Sequence, residues 1–586
     1  MPNFHFPFLR ISNLKIIASL IIIFSSFSSN AQQFQTDYFP IRSQGTIPGD
    51  FLKSAKDMAE EDINNLGNVE DKGIKKLFVI SNNYFLKEYL LSGDVLINDP
   101  LTTYVNLVAD ELLKEQPELR SQLHIYVTKY PDVNAYAFDK GYVFVNIGML
   151  AQLENEAQLA YILAHEITHI VKKHSINQYV ENAKLEKGTS SYNKGNYVER
   201  NIAKYSFSKE QESEADMEGL QMVKNSKYSI SVLNGAFDVL QYSYLPFELV
   251  DFKKTFFEDQ YLVYPDSFFL KKTSEIKSND DYDDTKSTHP NIRKRRGKLE
   301  TELAVEDESS RKRYIVSETN FKNAQEIARF ELCKLYLVKR DYINAIYASY
   351  LLLEKYPENK FLKKTISQGL FNILVNKTSI KHPANDIKIS SELITTSKKY
   401  SIPDYKKIEG PSQQLYYFLD KIDNKGLNIL ALSYIYKTSK QFPNDLQLSN
   451  MTDSLFSFLV NTNKLYINDF SKKTKAELKS MDTIKIVEDT VKVEESKYSK
   501  IKKQQKKIEV ETDDNYFKYG LIGLLQDPDF VSRYTKMAKG LSQKPLVSKD
   551  LNKQTVVNNK KEPEPNERFL GISNVIFLEP LYMKLK

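Results

Sequence analysis

The sequence predicts a mainly helical protein that contains one small β-sheet. Apolar residues recur with a helical period at 155–174 and through the region 320–470. Alternating runs rich in β-branched and aromatic residues occur at 123–128, 134–138 and 142–146. The contrast between these patterns predicts a sheet confined to one part of an otherwise helical chain.

The second and third alternating runs are separated by three residues that end in Gly141, so they predict a β-hairpin whose turn uses this glycine. Helical periodicity marks 50–66 and 99–115 before the sheet and 201–225 after it. A Gly-, Ser- and Asn-rich stretch at 186–197 predicts a loop. We therefore expect the hairpin to lead into a long amphipathic helix.

Composition excludes some classes of function. Of 586 residues, 41% are hydrophobic and 27% are charged, which is typical of a globular protein. The net charge is only +6, and basic residues form no dense stripe interleaved with aromatics, so we do not expect nucleic-acid binding. Cys333 is the only cysteine, so an intrachain disulfide is impossible and a metal site has to use histidines and carboxylates.

The N-terminus has the layout of a secretory signal peptide. Arg10 and Lys15 precede an apolar run at 16–24, and small residues lead to Ala31. The run is too short for a transmembrane helix, which needs about 20 residues. We expect residues 1–31 to be removed by cleavage after Ala31, which places the mature chain in the periplasm or otherwise outside the cytoplasm. Peripheral attachment to a membrane is compatible with this pattern.

The chain divides into five predicted segments. The signal peptide at 1–31 is followed by a segment at 32–310 that carries the sheet, and then by a helical region at 320–470. Residues 471–515 are rich in Lys, Asp and Glu with few large apolar groups, which predicts a disordered linker. The C-terminal segment at 516–586 has a short helical pattern and no assigned role.

Residues in the helical region have the spacing of tetratricopeptide hairpins. The first set comprises Leu332, Cys333, Tyr336, Ala345 and Pro357. The same Ala-to-Pro interval recurs at Ala431 and Pro443, but the distance between the two prolines, Pro357 and Pro443, is not a multiple of the 34-residue unit. We therefore expect tetratricopeptide-like hairpins and not a regular array.

Two histidines and a glutamate on one helix indicate a metal site. His165 and His169 are four residues apart, so their imidazoles project from the same helix face. Glu166 lies about 100° round the helix from His165. It is near a bound ion without being forced to bind it, as a general base requires. Histidine and carboxylate ligands with an open position favour one zinc ion per chain.

A third ligand has to come from another part of the chain. A histidine six residues after the second one could be the third ligand, but that position is Ser175. His174 is rotated about 140° from the ligand face, which predicts that it is a surface or second-layer residue. Glu212 and Asp216 stand one helical turn apart later in the chain. One of these carboxylates can bind the metal while the other accepts the free N–H of a ligand imidazole.

Four motifs in order resemble the forty-eighth family of metallopeptidases. They are the segments 134–146, 155–169, 212–216 and 287–299. This family of gluzincins includes prenyl-protein endopeptidases, HtpX-type membrane proteases and BepA-type periplasmic proteases. A signal peptide and a helical tail, without the membrane-spanning helices of the first two branches, make the BepA-type branch the most similar.

The resemblance implies a zincin-type metallopeptidase domain at 32–310, and it also implies roles for individual residues. By this resemblance, the zinc ligands are His165, His169 and Glu212, the general base is Glu166, and the partner of a ligand is Asp216. The residues that stabilise the transition state or gate the site are His289 and Arg295.

The resulting hypothesis is an exported zinc metalloendopeptidase that cleaves misfolded or stalled envelope proteins during quality control of outer-membrane protein assembly. Its substrates are polypeptides, its helical repeats contact the assembly machinery, and the strand at 142–146 offers its edge to an extended substrate. An alternative is a chaperone or adaptor whose peptidase domain is latent, with His289 capping the open position of the zinc. A scaffold without metal is a third interpretation.

Overall fold

The computed structural model describes residues 34–67, 69–187, 197–277, 291–303, 308–379, 402–471 and 513–542. His289, the predicted signal peptide and most of the predicted linker lie outside these residues. The described chain forms two units. The sheet unit comprises Pro40–Tyr244 and Ser278–Leu332, as far as these are described. The helical unit comprises Leu245–Lys277 and Cys333–Pro545, again as far as described, with the chain up to Phe39.

The sequence predicts a single boundary near residue 310 between the metallopeptidase domain and the helical region, and the two units divide the chain differently. Leu245–Lys277 belongs to the helical unit because its aromatic side chains pack there, for example Phe252 on Tyr350 and Tyr264 on Phe418. The described part of the C-terminal segment also packs in the helical unit, where the Phe530 ring meets those of Tyr436 and Phe456.

The sheet unit contains three strands and most of the helices before residue 340. Its elements are α1 (Gly49–Leu52), α2 (Ala55–Asn65), α3 (Lys72–Leu91), α4 (Pro100–Leu112), α5 (Pro117–Ser121), β1 (His124–Thr128), β2 (Ala135–Phe138), β3 (Tyr142–Asn146), α6 (Ile147–Gln152), α7 (Glu156–Val171), α8 (His174–Lys187), α9 (Tyr197–Lys224), α10 (Asn234–Gln241), α11 (Ile292–Leu303) and most of α12 (Glu318–Val338). The predicted class, mainly helical with a small sheet, is confirmed.

The strand order is β1-β3-β2, with β3 parallel to β1 and antiparallel to β2. The prediction that Tyr142–Asn146 offers its edge to a substrate is therefore wrong, since the backbone groups of this central strand are paired on both sides. Alternation in a sequence predicts a strand but not its place in the sheet. The outer side of β1 is partly covered, because the Leu96 N–H donates to the Val127 carbonyl. The outer strand on the other side is β2.

The hairpin turn needs the predicted glycine. Gly141 has a φ of +84°, and a β-carbon at this position would collide with the carbonyl oxygen of Gln122. Tyr136 and Phe138 of β2 pack their rings on Phe144 of β3. The hairpin is thus held by its turn and by one aromatic face.

Helix α7 begins at a side-chain cap and ends at a sharp turn. The Asn155 side chain accepts a hydrogen bond from the Gln158 N–H, which satisfies one of the free donors of the first turn. The helix ends at Val171, and Lys173 adopts a left-handed conformation with φ of +54°. Because of this turn, α8 starts at His174 in a new direction.

Glu156, in the first turn of α7, is fully buried and accepts five hydrogen bonds. Tyr104 and Tyr228 donate their hydroxyl protons to it at 2.7 and 2.8 Å. The backbone N–H groups of Ile315, Val316 and Ser317 donate the other three at 2.7–3.2 Å. This carboxylate therefore ties the start of α7 to the segment that leads into α12.

We expect Glu156→Ala to lower the free energy of unfolding by at least about 3 kcal/mol, because it leaves several buried donors without an acceptor. Urea denaturation of the full chain measures this loss. The matched control is Glu154→Gln, an exposed position two residues earlier, which should change stability by no more than about 0.5 kcal/mol. Equal stability of the two variants would contradict the proposed anchoring.

The helical unit continues with helices that pack in succession. They are the end of α12, α13 (Tyr342–Lys355), α14 (Lys360–Ser379), α15 (Gln413–Lys421), α16 (Asn424–Gln441), α17 (Leu446–Ser457), α18 (Ile522–Leu525) and α19 (Pro528–Ser542). Helix α13 packs on α14, α14 on α16, and α16 on α17. Within the described ranges, no helix is both long enough and apolar enough to cross a membrane.

Candidate metal centre

Three side chains from two helices converge in the sheet unit. His165 and His169 lie on α7, with their Nε2 atoms 3.1 Å apart. Glu212 comes from α9, with one carboxylate oxygen 3.7 Å from His165 Nε2 and the other 3.6 Å from His169 Nε2. Among the described residues, this is a group whose donor atoms could hold a metal ion.

The distances fit a tetrahedral ion. Zinc binds imidazole nitrogen and carboxylate oxygen at about 2.0–2.1 Å, so two ligand atoms of a tetrahedron lie roughly 3.3–3.4 Å apart. The two Nε2 atoms are 3.1 Å apart, and the nearest Glu212 oxygen, a different one for each ring, lies 3.6 or 3.7 Å away, so each separation is close to that value. Two nitrogen lone pairs and a carboxylate this close to one another repel unless a cation lies between them.

Asp216 lies behind His165. Its Oδ1 is 3.0 Å from Nδ1 of His165, although the ring N–H points away from a straight hydrogen bond. Asp216 is 2% exposed, and Arg295 binds it with two N–H groups, at 2.8 and 2.6 Å. Burial opposes ionisation of Asp216, but the Arg295 charge outweighs it and leaves the pKa of Asp216 below its usual value. Tyr161 also donates to this carboxylate.

His165 itself is buried, and burial opposes its protonation. The contact with Asp216 and the charges of Glu212 and Glu166 outweigh this cost, so the pKa of His165 is raised above its ordinary value. The imidazole therefore stands in a strongly negative environment. A cation at the three converging atoms would relieve the excess of negative charge.

His169 has a different partner. Nδ1 of His169 is 2.9 Å from Nδ1 of His174, and Nε2 of His174 is 3.1 Å from a carboxylate oxygen of Glu214. Lys172 pairs with the other oxygen of Glu214 at 3.0 Å and with Glu218 at 2.9 Å. His174 thus lies between the ligand face and a charged cluster that joins α7 to α9.

Glu166 is placed beside the ligands and under the outer strand. The backbone N–H of Ala137, in β2, donates a hydrogen bond to its carboxylate. Burial and, less strongly, the Glu212 charge raise the pKa of Glu166 to about 7, while His165, Arg295 and the Ala137 N–H act in the opposite direction. A carboxylate with this pKa can accept and release a proton near neutral pH.

A glycine allows the two helices to approach. Gly219 follows Asp216 by less than one turn on the same side of α9, and a β-carbon there would lie 3.0 Å from the backbone nitrogen of His165. A larger residue would push α9 away from α7. Arg311 fixes the end of α9, because its guanidinium donates to the carbonyl groups of Val223 and Lys224.

The structure brings together six of the seven residues singled out in the sequence. His165, His169 and Glu212 converge, with Glu166 beside them and Asp216 behind His165. It places Arg295 on Asp216, with one guanidinium nitrogen 3.9 Å from Glu212, and His289 lies outside the described residues.

The sequence predicts His174 as a surface or second-layer residue, and the structure places it against His169. Sequence reasoning missed the roles of Glu214 and Gly219 around the converging side chains. The 140° rotation assigned to His174 assumes a continuous helix, but the left-handed Lys173 turns His174 back onto His169. The spacing of Asp216 and Gly219 on one face of α9 is a signal that could have predicted close helix packing.

Comparison with known proteins agrees with this geometry. A model of peptidase family M48 matches residues 101–303, which contain all of the converging residues. Residues 101–303 therefore resemble peptidase family M48. The match includes the hairpin, α7, α9 and Arg295, so the four sequence motifs lie within the matched residues.

Several curated proteins are similar to part of this chain. The β-barrel assembly-enhancing protease of Escherichia coli O157:H7 is 26% identical over 192 residues, 29% of this chain and 39% of the relative. The protease of the same name from Escherichia coli K12 is 32% identical over 93 residues, 16% and 19% of the two chains. Mitochondrial metalloendopeptidase OMA1 of Bos taurus is 41% identical over 51 residues, 9% and 10%. The chain spans less than two fifths of the length of these relatives.

Proposed function

We propose that this protein is an exported zinc metalloendopeptidase that cleaves misfolded or stalled envelope proteins. The observation that carries the proposal is the convergence of His165, His169 and Glu212, with Glu166 beside them, within the residues that match peptidase family M48. Two imidazoles and one carboxylate that leave a coordination position open are typical of catalytic zinc sites.

The proposed reaction is hydrolysis of a peptide bond by a water molecule. Zinc, when bound, supplies the Lewis acid that polarises the scissile carbonyl and acidifies the water. Glu166 accepts a proton from the attacking water and then passes it to the leaving amine. Asp216 orients His165 by its contact with Nδ1, and Arg295 keeps Asp216 ionised.

The outer strand β2 supports binding of an extended polypeptide. The Asn146 N–H donates to the Asn134 carbonyl, so these two residues form a hydrogen-bonded pair. Along an antiparallel pair of strands, hydrogen-bonded and non-hydrogen-bonded residue pairs alternate. The backbone groups of Ala135 and Ala137 therefore point away from β3. The Ala137 N–H accordingly reaches Glu166 on the other side. A substrate strand paired with β2 would bring its peptide bonds to the base and the ligands.

The wider role follows from the relatives and from the sequence. The names of the β-barrel assembly-enhancing proteases favour a role in quality control of outer-membrane protein assembly. Cleavage of the signal peptide after Ala31 would deliver the chain to the periplasm, and the helical unit would contact the assembly machinery or a membrane surface. His289, within the segment 287–299 that resembles the family's later motif, is proposed to support the transition state or to gate the site.

Metal removal tests the proposal. We expect the purified full chain to cut an unfolded model protein at internal bonds, to lose this activity when a chelator removes the zinc, and to regain it with zinc but not with magnesium. Fragment masses report internal cleavage, and elemental analysis reports the metal content. Undiminished cleavage by a preparation shown to be free of metal would reject a metallopeptidase.

A further inference from the structure

The two candidate histidine ligands are supported by different groups. Nδ1 of His165 meets the carboxylate of Asp216 directly, whereas Nδ1 of His169 meets another imidazole, that of His174. His174 is 4% exposed and its far nitrogen meets Glu214. Its backbone is also fixed, because the Gln211 side chain donates to the His174 carbonyl at 3.0 Å.

When His174 is neutral, this chain of contacts allows one arrangement of protons. A carboxylate only accepts hydrogen bonds, so Glu214 requires a proton on Nε2 of His174. The neutral ring then has a lone pair on Nδ1, which accepts a hydrogen bond from the Nδ1–H of His169. His169 is left with its lone pair on Nε2, the atom that lies 3.6 Å from Glu212.

We infer that His174, backed by Glu214, is a positioning residue that fixes the orientation and tautomer of His169 for metal binding. The inference rests on the proposed zinc site and concerns the ordering of one ligand within it. Groups that hold the second nitrogen of a ligand imidazole typically change metal affinity 10- to 100-fold when they are replaced.

Zinc affinity of the full chain, measured at one pH by competition with a chromophoric chelator, tests the inference. His174→Phe keeps a ring of similar size but removes the acceptor, and we expect it to weaken zinc binding about 10- to 100-fold. His174→Asn places an amide oxygen near the position of Nδ1, so it should restore most of that loss. An Asn variant as weak as the Phe variant would show a packing role and overturn the inference.

Glu214 and Glu218 provide a matched pair on α9. Both carboxylates bind Lys172, but only Glu214 meets His174. Glu214→Gln should weaken zinc binding several-fold, and Glu218→Gln should leave it unchanged. Because Glu214 is partly exposed, its replacement should leave the fold intact, which melting of the metal-free protein can verify.

Two outcomes separate this inference from the proposed function. A wild-type chain that binds zinc tightly, together with a His174→Phe variant of equal affinity, rejects the positioning role and leaves the enzyme proposal standing. A wild-type chain that binds no zinc rejects the proposed centre, and the role of His174 with it.

Discussion

Glu166→Gln is expected to lower the rate of peptide-bond cleavage by a factor of about 100 to 10,000, because glutamine cannot accept a proton from the attacking water. Zinc content should remain at one ion per chain, since the carboxylate stands beside the converging ligand atoms and is not one of them. Initial cleavage rates on an unfolded model protein, with zinc measured on the same sample, test both parts of the prediction.

Glu154→Gln is a suitable control, because it makes the same substitution at an exposed site just before α7. Wild-type cleavage by Glu166→Gln would show that another group is the base. Loss of zinc from this variant would instead make Glu166 a ligand. An inactive variant that keeps its zinc can also retain bound substrates, and mass spectrometry of captured polypeptides would identify the substrate class.

Arg295→Met is expected to lower the free energy of unfolding by about 3–5 kcal/mol. Methionine fills much of the same volume but leaves Asp216, which is 2% exposed, as a buried charge without its arginine partner. The change also removes the cation–π contact of Arg295 with Phe237. Zinc affinity should fall as well, because Asp216 would no longer be held against His165.

The neighbouring residue offers a control on the same helix. Arg296 pairs with Asp238 at the surface, so Arg296→Met should cost at most about 1 kcal/mol. Urea denaturation of the metal-free chains compares the two variants. The double change Arg295→Met with Asp216→Asn should recover part of the loss, since it removes the unpaired charge. Similar stability of the two single variants would contradict the buried pair.

The sequence predicts well those features that depend on neighbours along the chain. The hairpin around Gly141 and the shared face of His165 and His169 follow from local periodicity and turn chemistry, and the structure has both. The position of Glu212 and Asp216 on the same face of α9 follows from their one-turn spacing. Only the need for a third ligand, and the family resemblance, connected these carboxylates to the histidines across more than forty residues of sequence.

Features that depend on distant parts of the chain could not be predicted in this way. The place of β3 between β1 and β2 depends on pairing across the sheet, which alternation does not encode. The contact between His174 and His169 depends on one left-handed residue, Lys173, whose conformation a periodic pattern does not reveal.

Crystallography of the zinc-loaded chain, with anomalous data collected on both sides of the zinc edge, tests the central claim most directly. We predict one zinc peak about 2.0–2.1 Å from Nε2 of His165, Nε2 of His169 and a carboxylate oxygen of Glu212. A zinc peak bound elsewhere, or a Glu212 side chain turned away from both imidazoles, would contradict the proposed centre.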